Sequence, residues 1–203
     1  MTTSTRTLHQ YLSDVHSALQ RVPIDAVQRV VQILLEAQQQ GRWIFTAGNG
    51  GSAATASHFA CDMAKVVPGD DALGQRPIRA ISLVDCTPRM TALANDLSYR
   101  QVFAEQLRCL AGPGDVLICI SYAGESENLL EAVERARDMG VVTIGFVGSA
   151  DGRLGRVVDC SVTVHCNAPT VAEDIHLMLE HMICTRLREL LSCRSAVEQG
   201  PGA

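Results

Sequence analysis

Apolar runs typical of buried strands alternate with helical patterns along most of this chain. The runs at 42–46, 78–83, 116–120, 141–147 and 160–164 are each predicted to be strands, and amphipathic segments separate them. Such alternation predicts an α/β fold, a mostly parallel sheet covered by helices on both faces. In sheets of this kind a ligand binds at the carboxyl ends of the strands.

The length of 203 residues favours one domain with one sizeable core. Two helical patterns before Gly41 predict an N-terminal helical extension over about 1–40, within a single domain at 1–195. Further helices are expected at 88–95, 99–110 and 170–191, a surface loop at 68–75, and a disordered tail at 196–203.

Charge and composition narrow the class of partner. The formal net charge is −5 and no dense run of Lys and Arg occurs, which argues against nucleic acid. No apolar run approaches about 18 residues, and the polar N-terminus lacks the core of a signal peptide. We therefore expect no membrane association and a cytoplasmic protein.

The eight cysteines form no Cys-x-x-Cys pair. Several lie inside apolar segments, as Cys119 does in the run at 116–120, so most are expected to be reduced, buried and inert. A cysteine-based zinc site is disfavoured.

A glycine-rich turn, AGNGGSAA at 47–54, follows the first strand and leads into a helix. Its glycines let the backbone approach a ligand, Ser52 is predicted to cap the helix and offer a hydroxyl, and the free N–H groups at the helix start favour an anion. The loop is neither a Walker A motif nor a dinucleotide fingerprint. It indicates a phosphate site, the alternative being a tight connection without ligand.

A second loop, SYAGES at 121–126, repeats this design after the strand at 116–120. Hydroxyls and a glycine again precede a helix start, so the two loops could hold one phosphate without Lys or Arg. For Ser126 the alternative is a simple helix N-cap.

Two pairs of side chains could supply acid–base or metal chemistry. His58 and Asp62 lie four residues apart on one helix face, and Glu173 and His181 lie two turns apart on the closing helix. Imidazoles and carboxylates suit zinc and also proton transfer between adjacent carbons. His176, between Ile175 and Leu177, is interpreted as a core or interface histidine.

The two loops, the segment TALAND at 91–96, and the segment from Thr170 to His181 together resemble the phosphoheptose isomerases among the sugar isomerase (SIS) domains. The resemblance covers nearly the whole chain. It implies a three-layer αβα SIS fold, a homotetramer with active sites near subunit interfaces, one Zn²⁺ per subunit, and isomerisation of sedoheptulose 7-phosphate through a cis-enediol.

The same resemblance implies roles for individual residues. Asp62 would be the base and His181 the acid, and the zinc ligands would be His58, Asp62, Glu173 and His181. The substrate-binding residues would be Asn49, Gly50, Gly51, Ser52, Asp62, Asn95, Asp96, Ser121, Tyr122, Ala123, Ser126 and Glu173.

Four positions depart from the family pattern. Asp62 replaces a glutamate, Glu173 a glutamine, Ala123 a serine and Glu125 an asparagine. These changes leave two alternatives to the heptose enzyme: a non-catalytic SIS protein that binds a sugar phosphate or a protein partner, and an isomerase of another phosphosugar.

Overall fold

The computed structural model describes residues 7–66, 76–149 and 151–198, with side chains to residue 192. The predicted surface loop at 68–75 lies outside the described residues, as does the tail from 199 onward. Helix α8 continues to Glu198, so residues 196–198 of the predicted tail are helical.

A five-stranded parallel sheet forms the centre of the molecule, in the order β2-β1-β3-β4-β5. The strands are β1 (Trp43–Gly48), β2 (Arg79–Ser82), β3 (Val116–Ser121), β4 (Val142–Val147) and β5 (Cys160–Thr163). The predicted parallel α/β fold is confirmed. The strand order reverses direction between β1 and β3, and the carboxyl ends of these two neighbours carry the two Gly/Ser loops.

Eight α-helices surround the sheet within the described residues. They are α1 (Leu8–Leu19), α2 (Ile24–Gln40), α3 (Gly51–Ala64), α4 (Thr87–Asp96), α5 (Val102–Leu110), α6 (Glu127–Asp138), α7 (Arg153–Val157) and α8 (Pro169–Glu198). A single 3₁₀ turn, Tyr99–Gln101, precedes α5. The short helix α7 was not predicted, because five residues are too few to show helical periodicity.

Each face of the sheet packs against its own set of helices. Ile44, Ile118 and Phe146 belong to a core shared with α1, α2, α3 and α8. Phe45, Leu117 and their neighbours form the opposite core with α4, α5, α6 and α7. The strands are therefore buried on both sides, which explains their continuous apolar runs.

The seven cysteines whose side chains are described are all free thiols. Cys119, Cys160 and Cys184 are buried, but Cys61, Cys86 and Cys109 are exposed. The expectation that most cysteines are buried was therefore wrong. Among the described residues, no helix has the length and apolar character needed to cross a bilayer.

Candidate active site

The first loop turns sharply from β1 into α3. Gly50 has φ +55° and serves as the N-cap of α3, a conformation that glycine adopts without strain. A Cβ at Gly48 would lie 2.4 Å from the Ser52 carbonyl oxygen, so the helix returns closely over the strand end. The N–H groups of the first turn of α3 thus open at the carboxyl edge of the sheet.

Ser52 does not cap this helix. It lies inside the first turn of α3, is largely buried, and the N-cap is Gly50 with no side-chain capping hydrogen bond. The prediction was wrong because the glycine pair allows the helix to begin two residues earlier than a serine cap would.

The second loop joins β3 to α6. The Gly124 N–H donates to the Ser121 Oγ over 3.1 Å, and Gly124 takes φ +69°. Ser126 is the N-cap of α6, but its side chain makes no capping hydrogen bond, so simple capping does not account for its hydroxyl. Tyr122 packs against Gly148, where a Cβ would lie 2.4 Å from the tyrosine ring.

The carboxylate of Glu125 is turned toward Arg153 of α7. The Arg153 backbone N–H donates to Glu125 Oε1 over 2.9 Å and its Nε to Oε2 over 2.6 Å; the same guanidinium also pairs with Glu127. The guanidinium hydrogen bond holds the pKa of Glu125 below its usual range. Arg153 therefore balances the negative charge that this residue brings to the loop.

Asn95 and Asp96 lie at the end of α4. Both are exposed, and the Asn95 Nδ2 donates to the Asp96 Oδ1 over 2.9 Å. The chain that follows reaches the first loop through Tyr99, whose hydroxyl donates to the Asn49 Oδ1 over 2.8 Å.

A cluster of four possible metal ligands lies between α3 and α8: His58, Asp62, Glu180 and His181. One ligand atom from each lies within 4.8 Å of the others. Glu180 Oε1 is 3.3 Å from His58 Nδ1 and 3.1 Å from His181 Nε2. Asp62 Oδ2 is 3.7 Å from His58 Nε2.

The two carboxylates of this cluster have opposite electrostatic environments. Lys65 donates to Asp62 over 2.8 Å and holds the pKa of Asp62 below its usual value, against the opposing effect of partial burial. Glu180 is fully buried, and burial raises its pKa to about 7 although His58 acts in the opposite direction. Asp62 is therefore the more readily ionised group.

Glu180 is a member of this cluster that the sequence reasoning missed. Its Oε1 is buried and makes no hydrogen bond to the described residues, which is costly unless a cation or proton joins it. A signal was present: Glu180 falls on the apolar face of α8 with Ile175, Leu179 and Ile183, where an acid is unusual. His176 is a fully buried core histidine, as predicted.

Glu173 lies elsewhere along the same helix. A Cβ built on Gly51 would be 2.6 Å from its Oε2, so this carboxylate sits at the start of α3. The structure thus brings three of the four expected ligands together and places the fourth beside the first loop.

A family model described as the SIS domain matches residues 10–148, more than half of the chain. A protein named probable phosphoheptose isomerase, from Thermoplasma acidophilum, is 34% identical over 180 residues, which are 89% of this chain and 97% of the relative. The chain belongs to the phosphoheptose isomerase family.

Other members of the phosphoheptose isomerase family agree with this assignment. The phosphoheptose isomerase of Nitratiruptor is 38% identical over 157 residues, 77% of this chain and 82% of its own length. The solved phosphoheptose isomerase of Neisseria gonorrhoeae superposes with a TM-score of 0.80 at 27% identity, covering 89% of this chain and 94% of its own.

Proposed function

We propose that this family member converts D-sedoheptulose 7-phosphate into D-glycero-D-heptopyranose 7-phosphate, the aldose–ketose isomerisation that begins the synthesis of activated heptoses. The observation that carries the proposal is the cluster of His58, Asp62, Glu180 and His181, two helical turns from a loop able to hold a phosphate. Proton donors and acceptors then face one end of a linear sugar phosphate while backbone N–H groups face the other.

In the proposed reaction the Asp62 carboxylate removes a proton from the carbon beside the carbonyl. The electron pair left on that carbon forms the carbon–carbon double bond of a cis-enediol, and the former carbonyl oxygen takes a proton from His181. Asp62 then returns its proton to the neighbouring carbon, and the hydroxyl on the first carbon gives its proton back to His181. Lys65 lowers the pKa of Asp62, which keeps this carboxylate in the proton-accepting form but also makes it a weaker base.

Zinc is proposed at the same cluster. The buried Glu180 Oε1 makes no hydrogen bond to the described residues and has the imidazole nitrogens of His58 and His181 within 3.3 Å, a donor set that fits a divalent cation. Family resemblance favours Glu173 as a ligand, whereas the geometry favours Glu180. Zinc, when bound, would polarise the oxygens between which protons move.

The substrate contacts are proposed from the two loops. Backbone groups of Asn49, Gly50, Gly51 and Ala123, with the side chains of Ser52, Ser121, Tyr122 and Ser126, would surround the phosphate. Asn95, Asp96 and Glu173 would contact sugar hydroxyls. The two carboxylates can accept hydrogen bonds from sugar hydroxyls, and the amide of Asn95 can both accept and donate.

A turnover assay of the purified protein on pentose, hexose and heptose phosphates, with and without added zinc, tests the function. We expect turnover of sedoheptulose 7-phosphate, and an Asp62→Ala variant should lose at least about a hundredfold in kcat. Turnover of a different phosphosugar would replace the substrate, and binding of sugar phosphates without turnover would support the non-catalytic alternative. Full activity of Asp62→Ala would refute the assignment of the base.

A homotetramer in the cytoplasm is also proposed. Leu8, Leu12 and Ile24 on the N-terminal helices and Met178 and Met182 on α8 expose large apolar side chains, which another copy of the chain could cover. The seven free thiols agree with a reducing compartment. Light scattering should give a tetramer mass; a monomer mass, or a soluble and fully active chain starting at Gly41, would contradict the assembly.

A further inference from the structure

Asn49, in the first loop, and Asn128, in the first turn of α6, face each other through a reciprocal pair of hydrogen bonds. The Asn49 Nδ2 donates to the Asn128 Oδ1 over 3.0 Å, and the Asn128 Nδ2 donates to the Asn49 Oδ1 over 2.9 Å. The Tyr99 hydroxyl donates to the same Asn49 Oδ1 over 2.8 Å. The amide pair thus connects the first loop to α6, the helix that follows the second loop.

We propose that Asn128 and Tyr99 are positioning residues that hold the Asn49 carboxamide in one orientation, with an N–H directed to an oxygen of the bound phosphate. This inference rests on the proposed function for the nature of the ligand. Neither residue needs to touch the substrate for this role.

The orientation follows from the number of partners. A carboxamide oxygen has two lone pairs, and the Asn49 Oδ1 already accepts from Asn128 and Tyr99. One of the two N–H groups on its Nδ2 is used by Asn128, so the second N–H is left for a ligand. Asn49 is therefore a donor toward the site, as a phosphate oxygen requires.

Burial gives this arrangement its rigidity. Asn128 is 3% exposed, so losing Asn49 would leave the buried Asn128 amide without water to replace its partner. Rotating Asn49 alone by half a turn would oppose two oxygens and two nitrogens across the pair. The pair thus disfavours a flip of Asn49 alone, and the Tyr99 hydroxyl favours the orientation in which the Asn49 Oδ1 accepts its hydrogen.

The chain provides a matched control in the next residue. Arg100 lies in the same 3₁₀ turn as Tyr99 and pairs with Glu131 of α6 over 2.9 Å. The Arg100–Glu131 pair therefore joins directly the two elements that carry Tyr99 and Asn128, which are otherwise linked through Asn49. An Arg100→Gln variant measures the effect of weakening the contact between the 3₁₀ turn and α6 while the hydrogen bonds of Asn49 remain.

The test is a double-mutant cycle on the full-length protein, with inorganic phosphate as the calorimetric probe and sedoheptulose 7-phosphate as substrate. We expect Tyr99→Phe to raise the phosphate Kd and the KM by about threefold to tenfold with kcat nearly unchanged, and Asn128→Leu to raise them further. In an Asn49→Ala background both changes should have almost no effect. Arg100→Gln should leave Kd and KM close to those of the wild type.

An equal change in the phosphate Kd from Tyr99→Phe with and without Asn49 would overturn the proposal. So would a change in Kd from Arg100→Gln as large as that from Tyr99→Phe, or the absence of phosphate binding by the wild type. If Asn128→Leu does not fold, the Tyr99→Phe cycle decides alone. Phosphate binding without any isomerisation would count against the proposed function, while the Kd cycle would still decide the role of the two positioning residues.

Discussion

The Glu173 carboxylate lies against Gly51 at the first turn of α3, close enough that a Cβ on Gly51 would be 2.6 Å from it. A negative group at a helix N-terminus interacts favourably with the helix dipole. It also stands where the first loop is proposed to bind the phosphate, so protein and ligand place two like charges near one helix end.

Replacing this charge should strengthen phosphate binding. We expect Glu173→Gln to lower the Kd for inorganic phosphate by about threefold to tenfold at low salt and by less at high salt, since screening weakens the repulsion. Calorimetry at two ionic strengths measures the change. Asp174→Asn is the control, because Asp174 is the next residue of α8 and is bonded to the Tyr11 hydroxyl; an equal gain there would show a general charge effect.

Zinc binding at the proposed site should depend on Glu180 more than on Glu173. Removing a buried ligand carboxylate deprives the cation of a negative charge, so Glu180→Ala should weaken zinc binding by at least about tenfold. Glu173→Ala should change it little, because this carboxylate lies beside Gly51 instead. Chelator competition gives both constants, and the reverse ranking would restore position 173 to the ligand set.

Two buried groups of α8 should give opposite pH dependences of stability in the metal-free protein. Burial lowers the pKa of His176 to about 4, with the nearby Val147 backbone acting in the other direction. On acidification the unfolded chain therefore binds a proton at His176 at a higher pH than the folded protein does. The free energy of unfolding then falls by about 2 kcal/mol between about pH 7 and pH 5. Glu180, with its pKa raised to about 7, makes the folded protein more stable as the pH falls through 7.

Denaturant unfolding at several pH values, in the presence of a chelator, separates these two contributions. Relative to the wild type, His176→Gln should gain stability on acidification, whereas Glu180→Gln should lose it. Parallel pH dependences in the two variants would mean that His176 or Glu180 does not have a shifted pKa in the folded protein.

Arg153 should neutralise the Glu125 carboxylate and so reduce its repulsion of a phosphate bound at the second loop. Arg153→Ala should release the Glu125 carboxylate and raise the KM for the sugar phosphate, by no more than about tenfold because both groups are half exposed. Glu125→Asn added to Arg153→Ala should restore the KM. A KM that stays high in the double variant would show that Arg153 acts in another way, for example through the packing of α7.

The sequence predicted the parts of the molecule that local patterns determine. The apolar runs at 116–120 and 141–147 identified β3 and β4 because strands buried on both faces leave little room for polar residues. The glycines before Ser52 located the first loop, but not which residue caps the helix, since the cap depends on backbone geometry.

Spacing alone could not show which side chains form the cluster of possible metal ligands. Glu173 and His181 lie two turns apart on α8, and spacing alone does not show whether Glu173 or Glu180 faces His58. That choice depends on how α8 packs against α3, a tertiary contact between segments more than a hundred residues apart in the chain. The tertiary contact selects Glu180.

Helix α3 begins at the first loop and carries His58 seven residues after Gly51. The rise between these residues is about 10 Å, and it is held by the backbone hydrogen bonds of the helix. On the proposed function, a substrate must place its phosphate at one end of this segment and its carbonyl at the other. The fixed length of this helical segment would therefore select sugar phosphates by the number of carbons between the carbonyl and the phosphate.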